Sequence, residues 1–161
     1  MDFEEKRNKT RSASMCCLVR DNNGRTEVLM QQRGQTASHS GMWDCSSAGH
    51  VEIGESMTDA LVREAKEEIG VELNKDDIVF TNIQHSGDKN PEQVYYNGYF
   101  FFKKWTGEPK ICEPEKCWQL EWFDINKIPE NTVENRKAAI KDYINGITYS
   151  EHCWNWRNNE G

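Results

Sequence analysis

Three carboxylates and a guanidinium crowd the stretch Arg63-Glu64-Ala65-Lys66-Glu67-Glu68, and Glu55 stands a short way upstream. Side chains of this kind do one of two things. They hold a hard divalent cation such as Mg2+, which prefers oxygen ligands and shares them with substrate phosphates, or they form a solvated acidic face. At about 100° per residue, Glu64, Glu67 and Glu68 share one helical arc, centred roughly 110° from the apolar arc of Thr58, Leu61, Val62, Ala65 and Ile69. The acids flank the buried stripe instead of opposing it. Glu64 repels Glu67 at i,i+3 and Glu68 at i,i+4, by about a few tenths of a kcal/mol per pair in water. A bound dication reverses that cost. Arg63 is placed to hold a carboxylate with two hydrogen bonds, or to make an ordinary surface ion pair.

Several elements must position this helix. Ser14–Val19 and Glu27–Gln32 read as strands joined by the polar turn Asp21-Asn22-Asn23-Gly24. Residues 34–41 read as a loop and Trp43–Val51 as a short extended segment. The helix is predicted over Met57–Ile69, with Ser56 and Asp59 as a capping-box start and Gly70 as a left-handed stop. Ile78–His85 and the aromatic Val94–Trp105 follow as strands. After a proline-bearing loop over 107–116 come a short strand at Leu120–Phe123 and a second helix over Thr132–Asn145. That helix carries Val133, Ala139, Ile140, Tyr143 and Ile144 near one side and stops at Gly146. Residues 155–161 read as a frayed end. Strands on both sides of a helix imply a mixed α/β domain.

With its flanks, the acidic stretch runs Gly49-His50-Val51-Glu52-Ile53-Gly54-Glu55, seven further residues, then REAKEEIGV. This resembles the Nudix box, G-x5-E-x7-R-E-U-x-E-E-x-G-U, where U is a bulky aliphatic residue. Gly49, Glu55, Arg63, Glu64, Glu67, Glu68 and Gly70 match every fixed position, and Val71 suits the last U. Ala65, smaller than usual at the first U, is the one departure. The order of elements over residues 12–146 is also similar to that family, which implies the Nudix fold, a mixed β-sheet sandwiched between helices (an α/β/α sandwich), in a chain that forms one domain over 1–161.

The resemblance implies metal-dependent hydrolysis of a diphosphate linkage in a nucleoside diphosphate derivative, such as a nucleoside triphosphate, with Mg2+ or Mn2+. It makes Glu67 and Glu68 metal ligands and Glu64 a ligand or general base. Arg63 and Glu55 would orient them, Gly70 would support the helix end, and a strand-to-helix turn at Ala48 and Gly49 would bring backbone to metal or phosphate. Glu113 or Glu115, beyond the box, would complete the metal shell. Trp43, Tyr95 or Phe102 could stack on a base, although aromatic residues at strand spacing also serve a core.

The segment before the box, Trp43 through Gly54, is similar to the branch nearest isopentenyl-diphosphate isomerases. Those enzymes carry a catalytic cysteine immediately before the Gly-His pair, where this chain has Ala48, with Cys45 three residues earlier. An isomerase-like enzyme and a non-catalytic nucleotide-binding module are therefore the alternatives.

Composition narrows the partners. The 161 residues are 36% hydrophobic and 29% charged, which suits one core. A net charge of -7 supplies no global attraction for nucleic acid or an anionic membrane, so an anionic substrate needs a local remedy. The expected partner is a small-molecule diphosphate or nucleotide, with no nucleic acid, no membrane, and a homodimer as the default assembly. The charged opening MDFEEKRNKT has no apolar signal core, and the expected location is the cytoplasm. Six cysteines without a CxxC pair read as reduced thiols.

Overall fold

The computed structural model describes residues 4–159. Its strands are β1 (Arg11–Asn22), β2 (Arg25–Arg33), β3 (Trp43–Asp44), β4 (Ser47–His50), β5 (Ile78–Ser86), β6 (Tyr95–Phe102), β7 (Cys117–Asp124) and β8 (Tyr149–His152). Two helices accompany them, α1 (Met57–Ile69) and α2 (Glu134–Asn145). β1 and β2 form a hairpin through Asn23 and Gly24, whose φ angles of 52° and 79° are the positive pair that a two-residue turn requires.

β1 organises the sheet. One edge pairs in parallel with β6, from Arg11 opposite Tyr95 to Leu18 opposite Phe102. The other edge is divided: residues 13–16 meet β4 and residues 19–22 meet β2, both antiparallel. β5 and the parallel β8 extend the sheet beyond β6, and β7 pairs with β2.

Alternation along β1 and β6 feeds two cores. Met15, Cys17, Val19, Tyr99 and Phe101 face one side, where Ala139 and Ile140 of α2 cover them. Cys16, Leu18, Phe100 and Phe102 face the other, beneath Leu61, Ala65 and Ile69 of α1. Both faces of a strand are thus buried, and the helices lie on opposite sides of a mixed sheet, the expected sandwich. Ala65, fully buried, packs into this second core.

α1 spans the predicted residues. The Ser56 Oγ accepts from the Asp59 amide at 3.1 Å while the Asp59 carboxylate accepts from the Ser56 amide at 3.0 Å, and Gly70 ends the helix at φ 71°. Elsewhere the expectations need correction. The strand predicted at Leu120–Phe123 extends to Cys117–Asp124, because β2 offers it a partner along its length. Ile144 is 47% exposed rather than core, while Asp142 is buried and receives a hydrogen bond from Asn82. Within the expected frayed end, Asn155–Asn159 forms a 3-10 turn, and just before it β8 joins the sheet and the Trp154 indole donates to the His85 carbonyl at 3.0 Å. Residues 160–161 lie outside the described residues. All six cysteines are free thiols. No helix among the described residues is long and apolar enough to cross a membrane.

Candidate active site

α1 presents its acids to the edge of β4, and Arg63 gathers them. Its guanidinium holds Glu55 with two hydrogen bonds, Nε to Oε2 at 2.7 Å and Nη2 to Oε1 at 2.9 Å. Nη1 reaches Glu64 Oε1 at 2.8 Å and Glu67 Oε2 at 3.3 Å, and Nη2 donates to the His50 carbonyl at 3.3 Å. Such a planar fork suits several carboxylates at once. The bidentate bond lowers the Glu55 pKa, helped by the Glu52 amide that donates to it.

Glu68 points elsewhere. Its Oε2 accepts from the Ala48 amide at 3.0 Å and from the Gln31 side chain at 3.3 Å. Burial raises its pKa to about 8, and the charge of Glu64 adds to the shift although the Ala48 bond opposes it. Burial raises the Glu64 pKa too, against the neighbouring Arg63. The two carboxylates are thus held where each disfavours the other's charge.

Gly49 makes this approach possible. A Cβ there would lie 2.2 Å from Glu64 Cδ and 2.5 Å from its Cγ, so any side chain would evict the carboxylate. Ala48 and Gly49 are not in a strand-to-helix turn as expected. They lie within β4, opposite Met15 and Ser14, because the β1 edge extends to pair with them.

The remaining candidates separate. Glu113 is close enough for its charge to raise the Glu64 pKa, and it pairs with Lys116 at 3.1 Å. Glu115 is exposed and contributes its carbonyl to the Gln35 amide. Trp43 is 7% exposed and sits edge-on to Phe123 at 4.8 Å between centroids, so it is a core residue with no free face for a base. Phe102 is also fully buried. Tyr95 lines a cleft, with its hydroxyl 3.1 Å from His50 Nε2.

That cleft, about 670 Å³, runs from Ala48, Gly49 and His50 to Arg33, Asp44 and Arg136. Sequence reasoning missed its far end. Asp44 is fully buried between Arg33, at 2.8 Å, and Arg136, at 2.7 Å. Gln31 was also missed, though a polar residue on the face of β2 that carries Leu29 was a usable signal.

As the side chains stand, no three His, Cys, Asp or Glu residues among the described residues converge on one point. Glu64 and Glu67 are turned to Arg63 and Glu68 to Ala48. The donor set nevertheless fits a hard divalent cation: it is all oxygen, and its buried members repel one another.

Residues 9–143 match the family model of the NUDIX domain, and the chain belongs to that family. It is 31% identical over 137 residues to putative nudix hydrolase 1 of Caenorhabditis elegans, covering 84% of this chain and 35% of that protein. The chain therefore spans about a third of that relative's length. It is 29% identical over 140 residues to isopentenyl-diphosphate Delta-isomerase 2 of Photorhabdus laumondii, covering 83% and 76% of the two chains. The crystal structure of a MutT NUDIX hydrolase from Burkholderia pseudomallei superposes with a TM-score of 0.66 at 22% identity, covering 83% of this chain and 97% of that one. This last likeness concerns the fold.

Proposed function

We propose that the chain hydrolyses a diphosphate linkage in a nucleoside diphosphate derivative, a nucleoside triphosphate or related nucleotide, with Mg2+ or Mn2+. One observation carries the reading: Arg63 gathers Glu55, Glu64 and Glu67 while Glu68 is fastened to the Ala48 amide, beside backbone that lines the cleft. A cation bound by Glu67 and Glu68 would neutralise phosphate oxygens and acidify a water. Water attacks one phosphorus, the bridging P–O bond breaks, and a carboxylate takes the water's proton. Glu64 is the base in this scheme, since burial raises its proton affinity while Arg63 fixes its position. Glu113 is the additional acid favoured over Glu115, because its charge is felt at Glu64. Residence in the cytoplasm and a homodimeric state belong to the same proposal.

The test is hydrolysis of a panel of nucleoside triphosphates and diphosphate-linked nucleotides with Mg2+, repeated with Glu68→Gln. Turnover should require the metal and collapse in the variant. Undiminished turnover there would refute the assignment, and binding of metal and nucleotide without product would favour a non-catalytic module. An isomerase-like activity has the Photorhabdus relative in its favour. Against it, Ala48 stands where a catalytic cysteine is needed, and the Cys45 thiol is buried against Cys17, 3.3 Å away.

A further inference from the structure

The far end of the cleft holds more positive charge than its structural role requires. Asp44, with no exposed surface, accepts from Arg33 Nη1 and Arg136 Nε, so two guanidiniums share one carboxylate. One arginine would neutralise Asp44, and a second costs desolvation without a charge to offset it. The remaining donors are partly used: Arg33 Nε binds the Ser38 carbonyl and Arg136 Nη1 the Tyr99 hydroxyl. Among the described residues, neither Nη2 has a hydrogen-bond partner, and neither is sealed from solvent. Both arginines line the cleft, at 23% and 15% side-chain exposure.

We propose that Arg33 and Arg136 anchor a second anionic group of the substrate, a phosphate monoester or a carboxylate carried away from the diphosphate. This rests on the reading of the cleft as the substrate site. A neutral carbonyl would satisfy a free N–H but leave the excess charge in place, whereas an acceptor-only anion answers both. His39, which lines the same end, senses the positive potential: burial lowers its pKa, and Arg33 and Arg136 lower it further against the opposing pull of Asp44. Two other acids border the cleft. Asp88 is exposed and bonded to the Asn90 amide, and Glu134 is 82% exposed and paired with Lys137. Both are rim residues and do not cancel the charge inside. For a chain of net charge -7, this is the local attraction that an anionic ligand needs.

Calorimetry on the full chain in EDTA tests the anchor without turnover, using two pairs that differ by one anion. NADP+ against NAD+ adds a phosphate monoester, and UDP-glucuronate against UDP-glucose adds a carboxylate. The anionic member of at least one pair should bind about tenfold tighter, and the pair that responds identifies the group. Affinities within about twofold in both pairs, or no binding by any of the four, overturn the anchor. The variants are Arg33→Gln and Arg136→Gln, each of which leaves Asp44 paired with the other arginine and removes the surplus positive charge. In both, the preference should fall below about threefold, and its survival would overturn the assignment. Hydrolysis with Mg2+ is measured separately: turnover without the preference removes only the anchor, and the preference without turnover removes only the proposed hydrolysis.

Discussion

Arg63 and Glu55, eight residues apart, are joined by two hydrogen bonds of 2.7 and 2.9 Å, so the loop before α1 is fastened to the same guanidinium that holds Glu64. Lysine cannot reproduce this fork. Arg63→Lys should lower kcat by about 10- to 100-fold, with nucleotide affinity changed far less, because a supporting bond is lost and the cleft is untouched. Steady-state kinetics beside calorimetric binding separates the two effects.

Gly49 and Glu64 give a second expectation. Since a Cβ at Gly49 would overlap the Glu64 side chain, Gly49→Ala should displace the carboxylate and break its bond to Arg63. Activity should drop by roughly 100-fold, while the melting temperature moves only a few degrees, because the Glu64 side chain can swing outward. A variant of normal activity would show that the close approach has no catalytic role.

Glu68 links activity to stability. Its folded pKa of about 8 lies above the ordinary 4.5, so between those values the unfolded chain has released a proton that the folded one keeps. The metal-free protein must lose stability as pH rises through this window, by roughly 5 kcal/mol in all. Glu68→Gln removes the dependence. In EDTA the variant should be more stable than the parent at pH 8 and nearly equal at pH 4.5, as urea denaturation would reveal.

Asp44 behaves in the opposite sense. Burial alone would raise its pKa, but Arg136 and Arg33 outweigh it and the net shift is downward. Its contribution is therefore present above the ordinary aspartate pKa and lost as pH falls toward and below the depressed value. Asp44→Ala leaves two guanidiniums side by side, and should cost about 3–5 kcal/mol of unfolding free energy at neutral pH.

Local signals made much of this molecule legible. Ser56, Asp59 and Gly70 act within a few residues, so the ends of α1 could be read directly, and the box positions travel with it. β8 gives no such signal: four residues of mixed exposure become a strand because β5 offers an edge. The bond from Arg136 to Asp44 crosses 92 positions of sequence, and neither residue stands in a pattern that names the other. Glu113 and Glu115 differ by two positions, and only the path of the loop decides which one reaches Glu64. Trp43 was ambiguous for a similar reason, since an aromatic residue reads alike whether it faces a cleft or a core.

The parallel pairing of β1 with β6 also governs when the site can come into being. Phe100 and Phe102 of β6 help form the floor on which Leu61, Ala65 and Ile69 rest. A nascent chain that has just cleared the ribosome with its helix of glutamates still lacks this support, since β6 is synthesised later. The acids are made before β6, but their assembly waits for Tyr95–Phe102 to emerge and zip onto β1, a strand synthesised ahead of the helix.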